Sequence, residues 1–216
     1  MGRLLLVGAS VDGGVVAAYR LASRSFPHRR IHFDAETRTA WVVPLPGYEE
    51  EARRNPLLSY PCLCILDNVS VLVANGNHLN RIREGMEDGL PPMGCVAQVL
   101  AELGPEEDAY NTPRIVGLAD PQGLVLGIVS KSTLMVQCFP LKPGLAYYLS
   151  TYGKTESSKN VLKNFDVENV QEAAEFVHKK GVFKGFSHAI ATIATLIKNG
   201  KPQVAIYPSD EIFQVN

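Results

Sequence analysis

Short apolar blocks, each closed by a polar or glycine-rich break, set the rhythm of this chain. Leu4–Val7 is a continuous apolar run with the length of a buried strand. Gly8 to Gly14 reads as a turn and Val15–Tyr19 as a second strand, so the pair predicts a hairpin. Further strands are expected at Ile31–Asp34, Thr39–Val43, Cys62–Leu66, Val69–Ala74, Ile115–Ala119, Leu124–Ser130, Leu134–Phe139, Ala146–Ser150 and Val204–Tyr207. Asp67-Asn68 supplies a two-residue turn between two of them. Tyr48–Arg54 reads as a short solvated helix or turn, stopped before Pro56.

Helical spacing gives two pairs of helices. Leu79–Met86, with Asn77 as a candidate cap, precedes Met93–Leu103, where Val96, Val99, Leu100 and Leu103 share a face. Gly104-Pro105 ends that helix. Val170–Lys179 precedes Ala189–Ile197, where Ile190, Ile193, Ala194 and Ile197 fall at helical spacing. Strands in antiparallel runs and helices in pairs predict an α+β protein, laid out as a four-layer αββα sandwich. Neither repeats nor low-complexity linkers interrupt residues 1–216, so one domain is expected.

Composition narrows the chemistry. The 216 residues are 46% hydrophobic and 20% charged, with a net charge of −1, so no global field draws the protein to nucleic acid or to a membrane. The N-terminus is too short an apolar run for a signal sequence, and the chain holds no run of about 20 apolar residues. Leu6 stands where a myristoylation signal needs Ser or Thr. Cys62 and Cys64 alternate along one strand and lack the spacing of a zinc site; with Cys95 and Cys138 they fit free thiols in a reducing cytoplasm. No metal site and no cofactor are expected.

Polar residues gather at strand ends. The richest stretch is Tyr19–Arg30, which holds Arg20, Ser23, Arg24, Ser25, Arg29 and Arg30. Guanidinium forks match phosphate or carboxylate, though a solvated basic loop explains the stretch as well on the residues alone. Other clusters are Asn55 to Tyr60, Asn75 to His78, Glu107 to Arg114, Ser150 to Tyr152 and Phe186 to His188. Each alone is also ordinary turn and cap chemistry. A strand rather than a helix follows Gly8…Gly13-Gly14, which argues against a dinucleotide fingerprint. The Gly-x-Ser-x-Gly, His-Glu-x-x-His and phosphate-loop patterns are absent.

Taken in order, these blocks resemble the archaeal-type IMP cyclohydrolase family. The matching residues are Ala18-Tyr19-Arg20, Ser23-Arg24-Ser25-Phe26-Pro27, Arg29, Arg54-Asn55-Pro56, Tyr60, Asn75-Gly76, His78, Asn111-Thr112-Pro113-Arg114-Ile115 and Ser150-Thr151-Tyr152. Ala22 and His28 depart from the family pattern, which has serine and asparagine there. The resemblance implies an N-terminal-nucleophile-hydrolase-like αββα fold, used without a processed nucleophile because the chain begins Met1-Gly2.

It also implies a reaction: the formamido-imidazole-carboxamide ribonucleotide closes to IMP with loss of water. The partner is then a purine mononucleotide, with no nucleic acid, membrane, metal or organic cofactor. The expected catalytic residues are Tyr60, Arg24 and either Glu107 or Asp108. Arg20, Ser23, Ser25, Arg29, Asn75, Asn111, Thr112, Arg114, Thr151 and Tyr152 are expected to bind substrate. Self-association is expected by family analogy and from the apolar late helix. An amide hydrolase with a processed nucleophile and a non-catalytic nucleotide-binding protein are the alternatives.

Overall fold

The computed structural model describes residues 2–152, 160–209 and 211–215. In chain order its strands are β1 (Leu4–Ala9), β2 (Val15–Ala22), β3 (Arg29–Asp34), β4 (Thr39–Pro44), β5 (Tyr60–Ile65), β6 (Val71–Ala74), β7 (Arg114–Asp120), β8 (Gly123–Val129), β9 (Leu134–Phe139), β10 (Ala146–Ser150), β11 (Val161–Leu162), β12 (Ala189–Lys198), β13 (Lys201–Tyr207) and β14 (Ile212–Gln214). The helices are α1 (Glu49–Arg54), α2 (His78–Glu87), α3 (Pro92–Leu103) and α4 (Val170–Lys179). A 3-10 turn, Gly181–Gly185, follows α4.

Two seven-stranded antiparallel sheets dominate. The first has the order β11-β10-β1-β2-β12-β13-β14, and the second runs β3 through β9 in sequence. The sheets pack face to face, burying Leu5, Val7, Ala17 and Tyr19 of one against Val42, Cys62, Val73 and Ile115 of the other. Helices α2 and α3 cover the outer face of the second sheet, over Leu72, Val116 and Leu118. Helix α4 lies on the outer face of the first, over Val16, Ala18 and Ala194.

The continuous apolar runs have a simple cause. Strands β1 and β2 are buried on both faces, so neither alternates. Their hairpin closes through Ser10, whose Oγ accepts the Gly14 N–H at 2.9 Å. Gly13 sits there at φ 86°, a conformation that a Cβ would strain.

The expected four-layer αββα sandwich, and with it the N-terminal-nucleophile-hydrolase-like architecture, is overturned. The chain is mostly β and keeps only the broad α+β description. The decisive element is Ala189–Ile197, read as the second helix of a pair. It is β12, paired with β2 and β13 near the middle of the first sheet. Ile190, Thr192, Ile193, Thr195 and Ile197 are β-branched and favour a strand. Burial on both faces supplied the apolar residues that mimicked helical spacing.

Candidate active site

One end of the molecule gathers the start of β1, the end of β2, the start of β5, the end of β6 and the start of β7. Arg3 stands immediately before the apolar run of β1 and reaches across to the second sheet. Its Nη1 donates to Glu106 Oε1 at 2.8 Å and Oε2 at 3.0 Å, and its Nη2 donates to Oε2 at 3.1 Å. Nη1 also donates to the Asn75 carbonyl at 3.1 Å. Glu106 is 2% exposed and Arg3 16%, so the pair is largely withdrawn from water.

Beneath it lie two tyrosines, one from each sheet. The Tyr19 and Tyr60 hydroxyls are 2.8 Å apart, and their rings meet edge to face. The Arg3 guanidinium carbon sits 5.6 Å from the Tyr60 ring centroid, within cation–π reach.

Asn75 fixes the neighbouring backbone. Its Oδ1 accepts the Ile115 N–H at 2.8 Å, and its Nδ2 donates to the Pro113 carbonyl at 2.9 Å. His78, fully buried, places Nε2 at 3.0 Å from the Ile115 carbonyl, so Nε2 carries the proton. Its Nδ1 is then a bare acceptor, with no partner among the described residues. A Cβ at Gly76 would lie 3.3 Å from both Glu106 Oε1 and His78 Nδ1, so a side chain there would crowd the two groups.

Burial and charge set the protonation states. Burial acts to lower Arg3, but Tyr60, Glu106 and Tyr19 outweigh it and hold the guanidinium firmly cationic. Burial pushes Glu106 above its ordinary range while Arg3 pulls it back. Burial also lifts Tyr19 well above a free phenol, so its hydroxyl keeps its proton. His78 is lowered to about 3 by burial, which outweighs its bond to the Ile115 carbonyl; Arg114 and Arg3 add to the shift. The arrangement offers a cation, two linked hydroxyls and a neutral imidazole in one dry corner.

The expected site residues divide into three groups. Tyr60, Asn75 and Arg114 come together with Arg3, Tyr19 and Glu106 at this corner. Arg114 anchors its Nε on the Gly104 carbonyl at 3.0 Å. Ser150, Thr151 and Tyr152 leave β10 beside it: the Thr151 N–H donates to the Arg3 carbonyl at 3.0 Å, and Tyr152 is exposed. The Gly153 to Glu156 continuation of that loop lies outside the described residues.

A second group lies in the connection from β2 to the start of β3 and in the loop before β7. Ser23 accepts the Phe26 N–H at 3.0 Å, shaping a tight turn from which Arg24 and Ser25 project into solvent. Arg29 is 7% exposed and donates from Nε to the Phe26 carbonyl at 3.2 Å. His28 stacks on Tyr48 at 4.0 Å. Asp108 is occupied within its own loop, accepting the Thr112 N–H at 2.8 Å and the Thr112 hydroxyl at 2.5 Å. Burial raises Asp108, but these bonds outweigh it and hold it below its ordinary value. Asn111 is exposed at φ 49°, and Glu107 is exposed. The Thr112 carbonyl accepts the Glu106 N–H at 2.8 Å, so this loop positions Glu106 rather than its neighbour.

Arg20 stands apart. It follows Tyr19 on β2 and therefore points to the opposite face, toward α4.

Four members of the corner are absent from the expected catalytic and substrate-binding residues: Arg3, Tyr19, His78 and Glu106. A charge directly before a fully apolar strand was the available signal for Arg3. Tyr19 lies within a matched block, at the end of an apolar strand run that carries no mark of a site. For Glu106 no pattern separates it from Glu107.

Residues 1–201 match the model of a family described as IMP cyclohydrolase-like protein. The chain is similar to the IMP cyclohydrolase of Methanosphaera stadtmanae, 34% identical over 200 residues that span 92% of this chain and 95% of that protein. It is 32% identical to the IMP cyclohydrolase of Methanocaldococcus jannaschii over 202 residues, 93% of this chain and 95% of that one. With the IMP cyclohydrolase of Methanothrix thermoacetophila it shares 37% over 155 residues, 72% of this chain and 75% of the relative. On a match of this extent, the chain belongs to the IMP cyclohydrolase-like protein family.

Proposed function

We infer that this chain is an IMP cyclohydrolase, and that the corner between the two sheets is where its nucleotide reacts. The observation that carries the activity is the near full-length similarity to proteins of that name. The substrate is a purine-type nucleotide, the formamido-imidazole-carboxamide ribonucleotide. The carboxamide nitrogen attacks the formyl carbon, the new C–N bond closes the ring, and water leaves with the former formyl oxygen.

The reaction is intramolecular, so it needs no covalent nucleophile. It needs the reacting groups held face to face, a donor for the oxygen that gains charge and a route for the amide proton. Tyr60 is the donor to that oxygen. Tyr19, 2.8 Å away, is the second member of the relay. Arg3 stabilises negative charge as it builds up on Tyr60 or on the substrate oxygen, and Glu106 keeps Arg3 in place. The rim of Ser23, Arg24, Ser25 and Arg29 meets the phosphate; Asn75, Asn111, Thr112, Arg114, Thr151 and Tyr152 surround the ribose and heterocycle.

The 216 residues act as one domain, self-associate and work in the cytoplasm in this reading. Sedimentation at several concentrations tests self-association, and a purely monomeric profile removes it. Among the described residues, no helix is long and apolar enough to cross a membrane.

The test is direct. Purified protein is incubated with the formamido ribonucleotide and IMP is followed by chromatography. Formation well above the uncatalysed rate is expected, and formation at the uncatalysed rate overturns the reading.

A further inference from the structure

We propose that the outer face of the first sheet carries a separate oxyanion site, centred on Arg20, that takes inorganic phosphate or a small phosphate monoester. A cavity of about 310 Å³ opens there between the end of β2, α4 and the 3-10 turn. Arg20, His178, Lys179, Lys184, Phe186 and His188 line it.

The central observation is an unfinished guanidinium. Arg20 is 1% exposed, yet its Nε and Nη1 find no acceptor among the described residues. Its Nη2 alone is used, donating to the Phe186 carbonyl, while the Phe186 ring lies 5.9 Å from the guanidinium carbon. A buried cation with unused N–H donors is costly, and folded proteins satisfy nearly all such groups. Compare Arg3, whose Nη1 and Nη2 donate to Glu106 and a carbonyl.

The surroundings keep the positive charge uncompensated. Lys179 is bound to Glu175 at 3.1 Å and to the Tyr207 hydroxyl, and Lys180 takes the other Glu175 oxygen at 2.7 Å. Both carboxylate oxygens of Glu175 on α4 are therefore committed. No ion pair among the described residues involves Arg20 or Lys184. Burial lowers Arg20 to about 10, with no carboxylate to offset it. His178 is lowered to about 4 by burial and then by Arg20 and Lys179, as a ring among cations should be. Its Nδ1 lies 3.1 Å from Thr192 Oγ1, which holds the ring in place.

A hard, compact oxyanion answers this chemistry. It accepts several N–H bonds at once and neutralises Arg20, and the Lys184 ammonium can close over it. The cavity is at the small end of ligand sites, suited to a phosphate group with little attached. One wall is tied to the active-site rim, because the His188 carbonyl accepts the Ser23 N–H at 3.1 Å.

Titration of the full-length protein with inorganic phosphate in chloride buffer, by calorimetry and thermal melting, tests the site. Saturable binding with a raised melting temperature is expected for the wild type. Arg20→Gln should weaken it at least tenfold. Lys184→Glu, at an exposed position that cannot disturb the core, should weaken it several-fold and leave IMP formation unchanged. Phosphate should still bind when IMP is saturating. No saturable phosphate binding, or binding indifferent to Lys184→Glu, overturns the proposal. Strict competition between phosphate and IMP also overturns it, since Arg20 would then hold the nucleotide's own phosphate. Phosphate binding is read directly, so absence of turnover would remove the cyclohydrolase reading and leave this one standing.

Discussion

Tyr19 and Arg20 are consecutive residues on one strand, and they serve two different environments. Tyr19 points between the sheets, where its hydroxyl meets Tyr60 and where Arg3 donates from Nη1 and Nη2 to Glu106 and the Asn75 carbonyl. Arg20 points outward beneath α4, where its guanidinium has one acceptor and no carboxylate among the described residues. Both cations are largely withdrawn from water. The paired one is part of the wall, a fixed charge that shapes what its neighbours can do. The unpaired one keeps Nε and Nη1 without an acceptor among the described residues and is the centre of the proposed oxyanion site. Burial alone does not separate these roles; the partners do.

The largest effect is expected from breaking the paired side. Glu106→Gln removes the counter-charge of a mostly buried arginine, a class of change that costs about 3–5 kcal/mol. Melting temperature should fall and IMP formation should be nearly lost. Unchanged stability would show that Arg3 is not held by Glu106.

Next comes the hydroxyl pair. Tyr60→Phe keeps the ring under Arg3 and deletes the donor, so kcat should fall about 10²–10⁴-fold with IMP binding little changed. An unaltered kcat would clear the hydroxyl of any part in proton transfer.

On the rim, Arg24→Ala should raise KM about 10- to 100-fold, the worth of a charge-assisted bond of about 1.5–3 kcal/mol. A fall in kcat at unchanged KM would move Arg24 from the phosphate to the chemistry.

The smallest expected effect is a pH slope. His78 is lowered to about 3 and His178 to about 4, so the folded protein holds both neutral where the unfolded chain takes up protons. Their folded values lie below the ordinary histidine value of about 6.5. Stability is therefore full above about pH 6.5 and declines as pH falls toward 4. His78→Gln should flatten that slope in melting curves taken across the same range. A slope identical to the wild type would mean that His78 titrates normally.

Much of the strand pattern was legible. The β1–β2 and β5–β6 hairpins, the β7–β8–β9 meander and helices α2, α3 and α4 follow from apolar runs and turn residues, because local sequence dictates them. Strand β12 was misread because burial on both faces erases the period that tells strand from helix. The short edge strands β11 and β14 were missed, since two or three residues carry no period at all.

At the corner, Tyr60, Asn75 and Arg114 were legible through their family blocks. The Arg3–Glu106 pair was not: it joins residues 103 positions apart, and neither carries a mark of its partner. Glu107 and Asp108 drew attention as the polar part of that loop, yet one faces solvent and the other bonds its own turn. The direction of Arg20 was readable from strand alternation alone, given Tyr19 as the inward residue.

The most direct test of the division between the two faces of β2 is a structure of the protein with IMP bound. The purine ring is predicted at the corner between the sheets, within hydrogen-bonding reach of the Tyr60 hydroxyl and beside Arg3. A purine ring lodged under α4 against Arg20, with the corner unoccupied, would contradict the account.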